Sequence, residues 1–379
     1  MTATNQVSHG SQRLLSIDVL RGVTVAFMIL VNNNGRDDLA YRALNHSPWN
    51  GFTPTDLVFP TFLFIMGISL VLSLSGKLDR GATRASIFLH ALRRFALLIF
   101  WGLVVNGFPY FHLSTLRIYG VLQRFAVCYI LGVLLLSVTR KVSVMAGLTI
   151  AILIGYWVLL RWVPVPGHGL PVRDFPLLDH DINLTAWIDR QVFPGRLFEG
   201  TRDPEGLLSD LPSFASVVLG MIAAFWLRSI RSPQAKVLGF LFAAIVLLAG
   251  GLIWDVSFPI NKRLWTSSYV LFAGGWSLLG LGASYYLFDI RKVSARWITP
   301  ALVLGMNAIS AYVLSELLSS GIAAIRISPV DSLQQRIYFT LFHPVVNPAF
   351  GSLIYSICFV FVCWIPMYVL YRKKVFLKL

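Results

Sequence analysis

The chain has little charge and little cysteine. Asp, Glu, Lys and Arg make up 13% of its 379 residues, about half the share usual in soluble domains, which argues against a soluble fold. Its three cysteines, Cys128, Cys358 and Cys363, lie in apolar runs without metal-binding or redox spacing. We therefore interpret them as buried small hydrophobic residues and expect no metal site. No Walker loop or Gly-x-Gly-x-x-Gly motif occurs in the sequence, so nothing indicates an ATP-driven pump.

Apolar residues dominate instead. The chain is 56% hydrophobic with a mean hydropathy of +0.70, and its apolar blocks are about twenty residues long, the length that crosses a bilayer. We predict an all-α, polytopic membrane helix bundle that forms one domain over residues 1–379. It would have a tail at 1–13, no cleaved signal peptide, and a long outer loop at 164–210. The ten predicted spans are 15–34, 54–75, 87–107, 117–139, 144–163, 211–230, 237–254, 266–288, 298–318 and 348–370.

Basic residues are distributed unevenly between the two sides of this topology. The side that holds both termini carries 18 basic residues and two acidic ones, whereas the other side carries 12 of each. By the positive-inside rule both termini are cytoplasmic. The net charge of +15 is then a consequence of topology, with added attraction to anionic membrane lipids, and gives no reason to expect nucleic-acid binding.

The most informative polar stretch runs from Asn45 to Pro60, between two apolar blocks. Thr53 fits a helix N-cap, Pro54 the first helical position and Asp56 the acid of a capping box. His46 precedes this helix on a short connection and faces outward, which makes it the candidate chemical centre. The alternatives are that Asp56 only caps the helix and that His46 is an ordinary surface histidine. The long loop at 164–210 is either a lid or binding loop or a plain connection.

Ionisable and amide side chains within the spans form a second set of candidates, because charge inside a membrane is costly. Asp18 and Arg21 are three residues apart and can pair on one helix face, although Arg21 can equally extend to the lipid surface. Arg124 lies about two turns into its span without an obvious local counter-charge. Asn307 and Glu316 bracket much of the ninth predicted span.

Several motifs together resemble a known family. They are Arg13 to Gly22, the His46 to Pro60 stretch, Val121-Leu122-Gln123-Arg124, Asp203-Pro204-Glu205-Gly206, Asn261-Lys262-Arg263-Leu264-Trp265, Gly305-Met306-Asn307 and Tyr371-Arg372-Lys373-Lys374. In this order they resemble heparan-α-glucosaminide N-acetyltransferase, a lysosomal transmembrane acetyltransferase, and its bacterial relatives. The resemblance runs from Arg13 to the carboxyl terminus.

The resemblance implies an enzyme that takes acetyl from cytoplasmic acetyl-CoA, a co-substrate, and delivers it across the membrane to the amine of a glucosamine-type sugar or glycan fragment. It places the catalytic histidine on His46, a functional asparagine on Asn32 and the following carboxylate on Asp56. As a bacterial homologue, the protein would lie in the inner membrane, as a monomer or a homodimer. The expected CoA contacts are Arg21, Arg93, Arg94 and Arg124, and the expected acceptor contacts are Asn261, Trp265, Asn307 and Glu316.

A transporter is the rival hypothesis. Ten spans with a polar cavity also suit a proton-coupled amino sugar carrier in which His46 and Asp56 bind the proton. The absence of an evident internal repeat counts weakly against it. In a third interpretation the polar groups only stabilise the bundle.

Overall fold

The computed structural model describes residues 14–293, 295–329, 331–343 and 347–376. The tail predicted at 1–13, with Arg13 of the first motif, lies outside the described residues, as does Lys378, one of the 18 basic residues counted on the side of the termini. Within these ranges the fold is helical and contains no strand beyond isolated bridges, which confirms the predicted all-α class. The helices are α1 (Leu15–Asn32), α2 (Val58–Asp79), α3 (Arg84–Gly107), α4 (Val121–Val138), α5 (Val142–Trp162), α6 (Leu184–Val192), α7 (Asp210–Leu227), α8 (Pro233–Asp255), α9 (Ser267–Ser284), α10 (Ala295–Met306), α11 (Ala308–Ala324), α12 (Leu333–Ile337) and α13 (Pro348–Arg372).

Nine helices in the described part of the chain are long and apolar enough to cross a membrane, and a bent pair can supply a tenth crossing. The pair is α10 with α11, bent by 75°. Asp289, before the pair, accepts the backbone N–H groups of Leu15 and Ser16, whereas Glu316 within α11 meets Asn32 at the far end of α1. The pair therefore joins the two ends of the bundle, as the ninth predicted span requires. We name these the terminal end, which holds Leu15 and Arg372, and the loop end, which holds His46.

The α1 and α10 helices touch backbone to backbone. A Cβ atom on Gly22 would lie 1.7 Å from the carbonyl oxygen of Ala301, and one on Gly305 would lie 2.1 Å from that of Asp18. Small residues permit this approach in membrane bundles. Residue numbers increase along α1 as they decrease along α10 at these contacts, so the two helices pack antiparallel. The α10 helix therefore runs toward the terminal end, and the chain must bend at Asn307 before α11 can reach the loop end.

One of the three cysteine predictions is wrong. Cys128 and Cys363 are buried as expected, but Cys358 is exposed because it lies on the outer face of α13. An exposed cysteine on an apolar spanning helix faces lipid, so its apolar sequence context does not distinguish it from a core residue.

Candidate active site

Two loops dock at the loop end: the histidine loop (residues 45–53) and the lysine loop (residues 256–266). Gly51 donates its backbone N–H to the carbonyl of Ile260 at 2.8 Å, and Asn261 Nδ2 donates to Asn50 Oδ1 at 3.0 Å. Gly51 has φ of +105°, a conformation that favours glycine. These bonds hold two segments that are far apart in sequence side by side.

His46 and Asp56 form a dyad. Nδ1 of His46 lies 2.7 Å from Oδ1 of Asp56, whose side chain is buried, while 38% of the His46 side chain is exposed. An ionised carboxylate accepts hydrogen bonds, so Nδ1 carries the ring proton and Nε2 keeps a lone pair. The dyad therefore presents an imidazole with one nitrogen available for chemistry.

Asp56 also caps its helix, so both predicted roles are combined in one carboxylate. Its Oδ2 accepts the backbone N–H of Thr53 at 2.9 Å and that of Ser47 at 3.2 Å. The predicted capping box of Thr53, Pro54 and Asp56 is confirmed at the start of the short 3-10 turn, Pro54–Leu57, that leads into α2. The cap fixes one carboxylate oxygen and leaves the other for His46.

Lys262 of the lysine loop contacts the same ring. Its Nζ lies 3.2 Å from Nε2 and 3.4 Å from Nδ1 of His46. Enclosure by the loops lowers the pKa of His46 below its ordinary value, the charges of Lys262 and Arg263 lower it further, and Asp56 opposes them. The resting imidazole is therefore held in its neutral form, which can act as a base or nucleophile.

The long loop packs onto the histidine loop and is not a plain connection. Trp49 donates its indole N–H to the carbonyl of Leu178 at 2.8 Å and stacks on His180 with ring centroids 3.9 Å apart. Farther along, Arg117 binds the buried carboxylates of Asp203 and Glu205. Burial raises the pKa of Glu205, but the charges of Arg117, Arg124 and Lys262 outweigh it and lower the pKa overall.

Arg124 has the counter-charge that its sequence neighbourhood lacks. The side chain is fully buried, its Nε lies 3.2 Å from Asp210 Oδ1, and it also donates to Ser209 and to the carbonyl of Gly206. Its guanidinium lies over the Trp265 ring. The counter-charge is not local in sequence, because α7 brings Asp210 from a distant part of the chain. Arg124 therefore binds the end of the long loop, where the loop meets α7. A contact between Arg124 and CoA stays a prediction.

Asn32 and Glu316 lie together. Asn32 Nδ2 donates to Glu316 Oε1 at 3.3 Å, so the structure joins a predicted catalytic amide and a predicted acceptor contact at the loop end. The adjacent Asn34 is buried and donates to Asn45 Oδ1 at 3.1 Å and to the carbonyl of Leu44. Asn34 therefore ties the end of α1 to the segment that carries His46.

A cavity of about 480 Å³ occupies the terminal half of the bundle. Arg21, Arg93 and Arg94, three of the four predicted CoA contacts, line it. Arg21 pairs with Asp18 at 3.3 Å, as the spacing indicated, and also donates to Ser69. Arg94 lies over the Tyr129 ring, and its Nε is buried without a hydrogen-bond partner among the described residues.

This cavity does not by itself reach His46. Its lining extends to Phe62 on α2 and Phe125 on α4, and these rings pack 5.3 Å apart. Asp56 precedes Phe62 by six residues, in the 3-10 turn that leads into α2, which corresponds to about 9 Å at helical rise. Phe59, in between, is buried and packs edge-on against Trp265. Transfer from cytoplasmic acetyl-CoA to His46 needs a path from the terminal end to the loop end, and the cavity provides only part of it.

Three predicted acceptor contacts are placed differently from the expectation. Asn261 is fully buried, and its Oδ1 accepts the backbone N–H of Leu264; Trp265 is also buried and bonds Ser216. Neither offers free surface to a sugar here, so that role stays a prediction. Asn307 lies at the terminal end, where it bonds the carbonyl of Val375, because the antiparallel α10 carries it away from His46.

Comparison with known proteins shows what the chain is similar to. The family model described as heparan-alpha-glucosaminide N-acetyltransferase, catalytic, matches residues 13–188. The human heparan-alpha-glucosaminide N-acetyltransferase is 29% identical over 430 aligned positions, which cover 100% of this chain, and the mouse protein is 30% identical over 423 positions, which cover 97%. The chain is related to this acetyltransferase family. It spans 61% of the length of each of these relatives.

The family match confirms the resemblance that the motifs indicated. The matched residues include the histidine loop, Asp56 and the arginines of the cavity, whereas Lys262 lies beyond them. Lys262, Glu205 and Asn34 were not singled out as candidates from the sequence. Lys262 and Glu205 do stand inside two of the quoted family motifs, which is the signal that could have identified them.

Proposed function

We propose that the protein is a transmembrane acyltransferase that moves acetyl from acetyl-CoA at the terminal end to the amine of a glucosamine-type sugar at the loop end. The terminal end then faces the cytoplasm and the loop end the periplasm, in a bacterial inner membrane. The observation that carries the proposal is the 2.7 Å contact of His46 Nδ1 with the buried Asp56 carboxylate, at the loop end of a bundle whose terminal half contains an arginine-lined cavity.

The cavity suits the donor in charge and in shape. Three guanidinium groups at its wall match the phosphates of CoA, because arginine binds phosphate in a charge-assisted, often bidentate manner. The apolar side chains of Phe62, Ile65 and Met66 also line it and suit the pantetheine arm. For the thioester to approach His46, the Phe62 and Phe125 rings must separate as the arm enters.

The dyad can perform the transfer by two routes. In one, Nε2 attacks the thioester carbon; an N–C bond forms, the C–S bond breaks, and the CoA thiolate leaves and takes up a proton. The sugar amine then attacks the acetyl carbon, the bond from that carbon to Nε2 breaks, and the freed Nε2 takes up the proton that the amine loses. In the other, the sugar amine attacks the thioester directly while Nε2 removes its proton; the C–S bond breaks and the CoA thiolate takes that proton from the ring. Asp56 balances the positive ring that forms in either route.

Carboxylates at the loop end suit an amine acceptor. Glu316 and Glu205 are both within electrostatic range of Tyr312, so they belong to one region. The Glu316 carboxyl group can hydrogen-bond the polar groups of an amino sugar, and Asn32, bonded to Glu316, can donate to the acetyl oxygen once the sugar has displaced that bond. The relatives' names specify a glucosaminide, and we propose the same substrate class here.

The test uses purified protein in liposomes with labelled acetyl-CoA on one side and glucosamine on the other. Wild type should form N-acetylglucosamine, His46→Ala should not, and His168→Ala, a change at an exposed histidine of the long loop, should behave as wild type. Unmodified glucosamine crossing the bilayer without acetylation would support the carrier. Equal rates for wild type and His46→Ala would refute the assignment of His46.

A further inference from the structure

Lys262 occupies the position from which a charged group can reach the reacting atoms. Its Nζ is 3.2 Å from the nitrogen that remains available on His46. With the ring proton on Nδ1, this Nε2 atom can accept a hydrogen bond from the Lys262 ammonium, and the 3.4 Å approach to Nδ1 is a contact only. The adjacent Arg263, by contrast, is paired with Glu199 of the long loop. Arg263 therefore joins two loops, whereas the Lys262 ammonium points into the candidate active site.

We infer that Lys262 is a catalytic residue whose ammonium group stabilises the negative charge on the acetyl oxygen during transfer. The inference rests on the proposed acetyl transfer. It assigns a second catalytic charge beside the dyad, on a residue contributed by a different loop.

The distances make this role geometrically reasonable. A carbon under attack lies about 3–3.5 Å from the attacking atom, and its oxygen lies about 1.2 Å from that carbon. A group 3.2 Å from Nε2 is therefore within hydrogen-bond reach of the oxygen once the acetyl group has replaced the resting contact. When the sugar amine attacks the thioester directly, the amine nitrogen lies between His46 Nε2 and the acetyl carbon, so that carbon is one atom farther from Nε2. The flexible lysine side chain can move to reach the oxygen on that carbon.

The surrounding charges make the lysine sensitive to pH. Burial lowers the pKa of Lys262 below its ordinary value, Arg263 and Arg124 act in the same direction, and the carboxylates of Glu205 and Asp56 oppose them. The ammonium therefore loses its proton at a lower pH than an exposed lysine does. Catalysis that needs both groups requires neutral His46 and charged Lys262, so the rate should fall at low pH through His46 and at high pH through Lys262.

The experiment compares wild type, Lys262→Met and Lys262→Arg, with Lys141→Met at an exposed lysine of the terminal end as control. For Lys262→Met we expect kcat to fall by about 100-fold or more, as for loss of one oxyanion donor, with little change in KM for acetyl-CoA. The alkaline fall in kcat should disappear in Lys262→Met and move to higher pH in Lys262→Arg. All variants share one acceptor, so the titration of its amine is common to them.

Each outcome bears on the inference. A folded Lys262→Met that keeps kcat within threefold of wild type, or retains the alkaline fall, overturns it. If Lys262→Met does not fold, Lys262→Gln replaces it; failure of both to fold makes the lysine structural and also overturns the inference. Lack of acetyl transfer by wild type instead refutes the proposed function. The NMR titration of His46 is independent of activity: its pKa should rise in Lys262→Met, and an unchanged value would show that the ammonium does not act on the ring.

Discussion

Replacing Asp56 by asparagine tests the dyad with little disturbance of the fold. The oxygen that caps α2 accepts two backbone N–H groups, from Thr53 and Ser47. In Asp56→Asn the amide oxygen should keep those two bonds, since an N–H cannot accept them, and the amide NH2 then faces His46 Nδ1. Nδ1 must become the acceptor, so the ring proton moves to Nε2 and the reactive lone pair is lost.

The expected effect on rate is large and the effect on stability small. An orienting aspartate changed to asparagine in a comparable triad lowers kcat on the order of 10⁴-fold through the wrong tautomer, and we expect a loss of roughly 10³ to 10⁴-fold here. The amide oxygen of asparagine can accept the same two backbone N–H groups, so thermal stability should change little.

The assay measures initial rates of N-acetylglucosamine formation and the melting temperature of the same preparations. Asp38→Asn is the matched control, because Asp38 lies at the loop end and, in the described part of the chain, its carboxylate pairs with Arg36 on the exposed surface. A folded Asp56→Asn whose rate stays within threefold of wild type would show that Asp56 does not set the His46 tautomer, and the dyad mechanism would be wrong.

Three further predictions address the cavity, the long loop and the helix packing. Arg93→Gln with Arg94→Gln should raise KM for acetyl-CoA by at least roughly tenfold through lost charge-assisted bonds, with a smaller change in kcat; an unchanged KM would place the phosphates elsewhere. Burial raises the pKa of Asp189 to about 7, so the folded protein keeps a proton that the unfolded chain loses, and stability should fall as the pH rises from about 4 to 7. Asp189→Asn should flatten the melting temperature over this window, and a slope equal to that of wild type would contradict the assignment. Gly22→Ala should destabilise the bundle by about 1–3 kcal/mol, because its Cβ would meet a backbone oxygen at 1.7 Å, while Gly147→Ala, with no atom within 4 Å, should unfold as wild type does.

Features that depend on neighbouring residues could be predicted from the sequence. Apolar blocks of membrane-crossing length indicated the spans, with ends a few residues from the observed ones. The cap formed by Thr53 and Asp56 and the pair of Asp18 with Arg21 also followed from spacing. The spans are stabilised by transfer of apolar side chains into the membrane, and the cap and the ion pair by hydrogen bonds within one helical turn. Each of these contributions involves residues that are close along the chain.

What the sequence by itself determined is therefore a membrane helix bundle that resembles an acetyltransferase family, with His46 and Asp56 as candidates. Only the tertiary structure decided that Lys262, 216 residues from His46, contacts its ring, that Asp210 neutralises Arg124 and that Asn307 lies at the terminal end. These contacts depend on how loops dock and helices bend, which are settled by packing between distant segments and leave no periodic pattern in the chain.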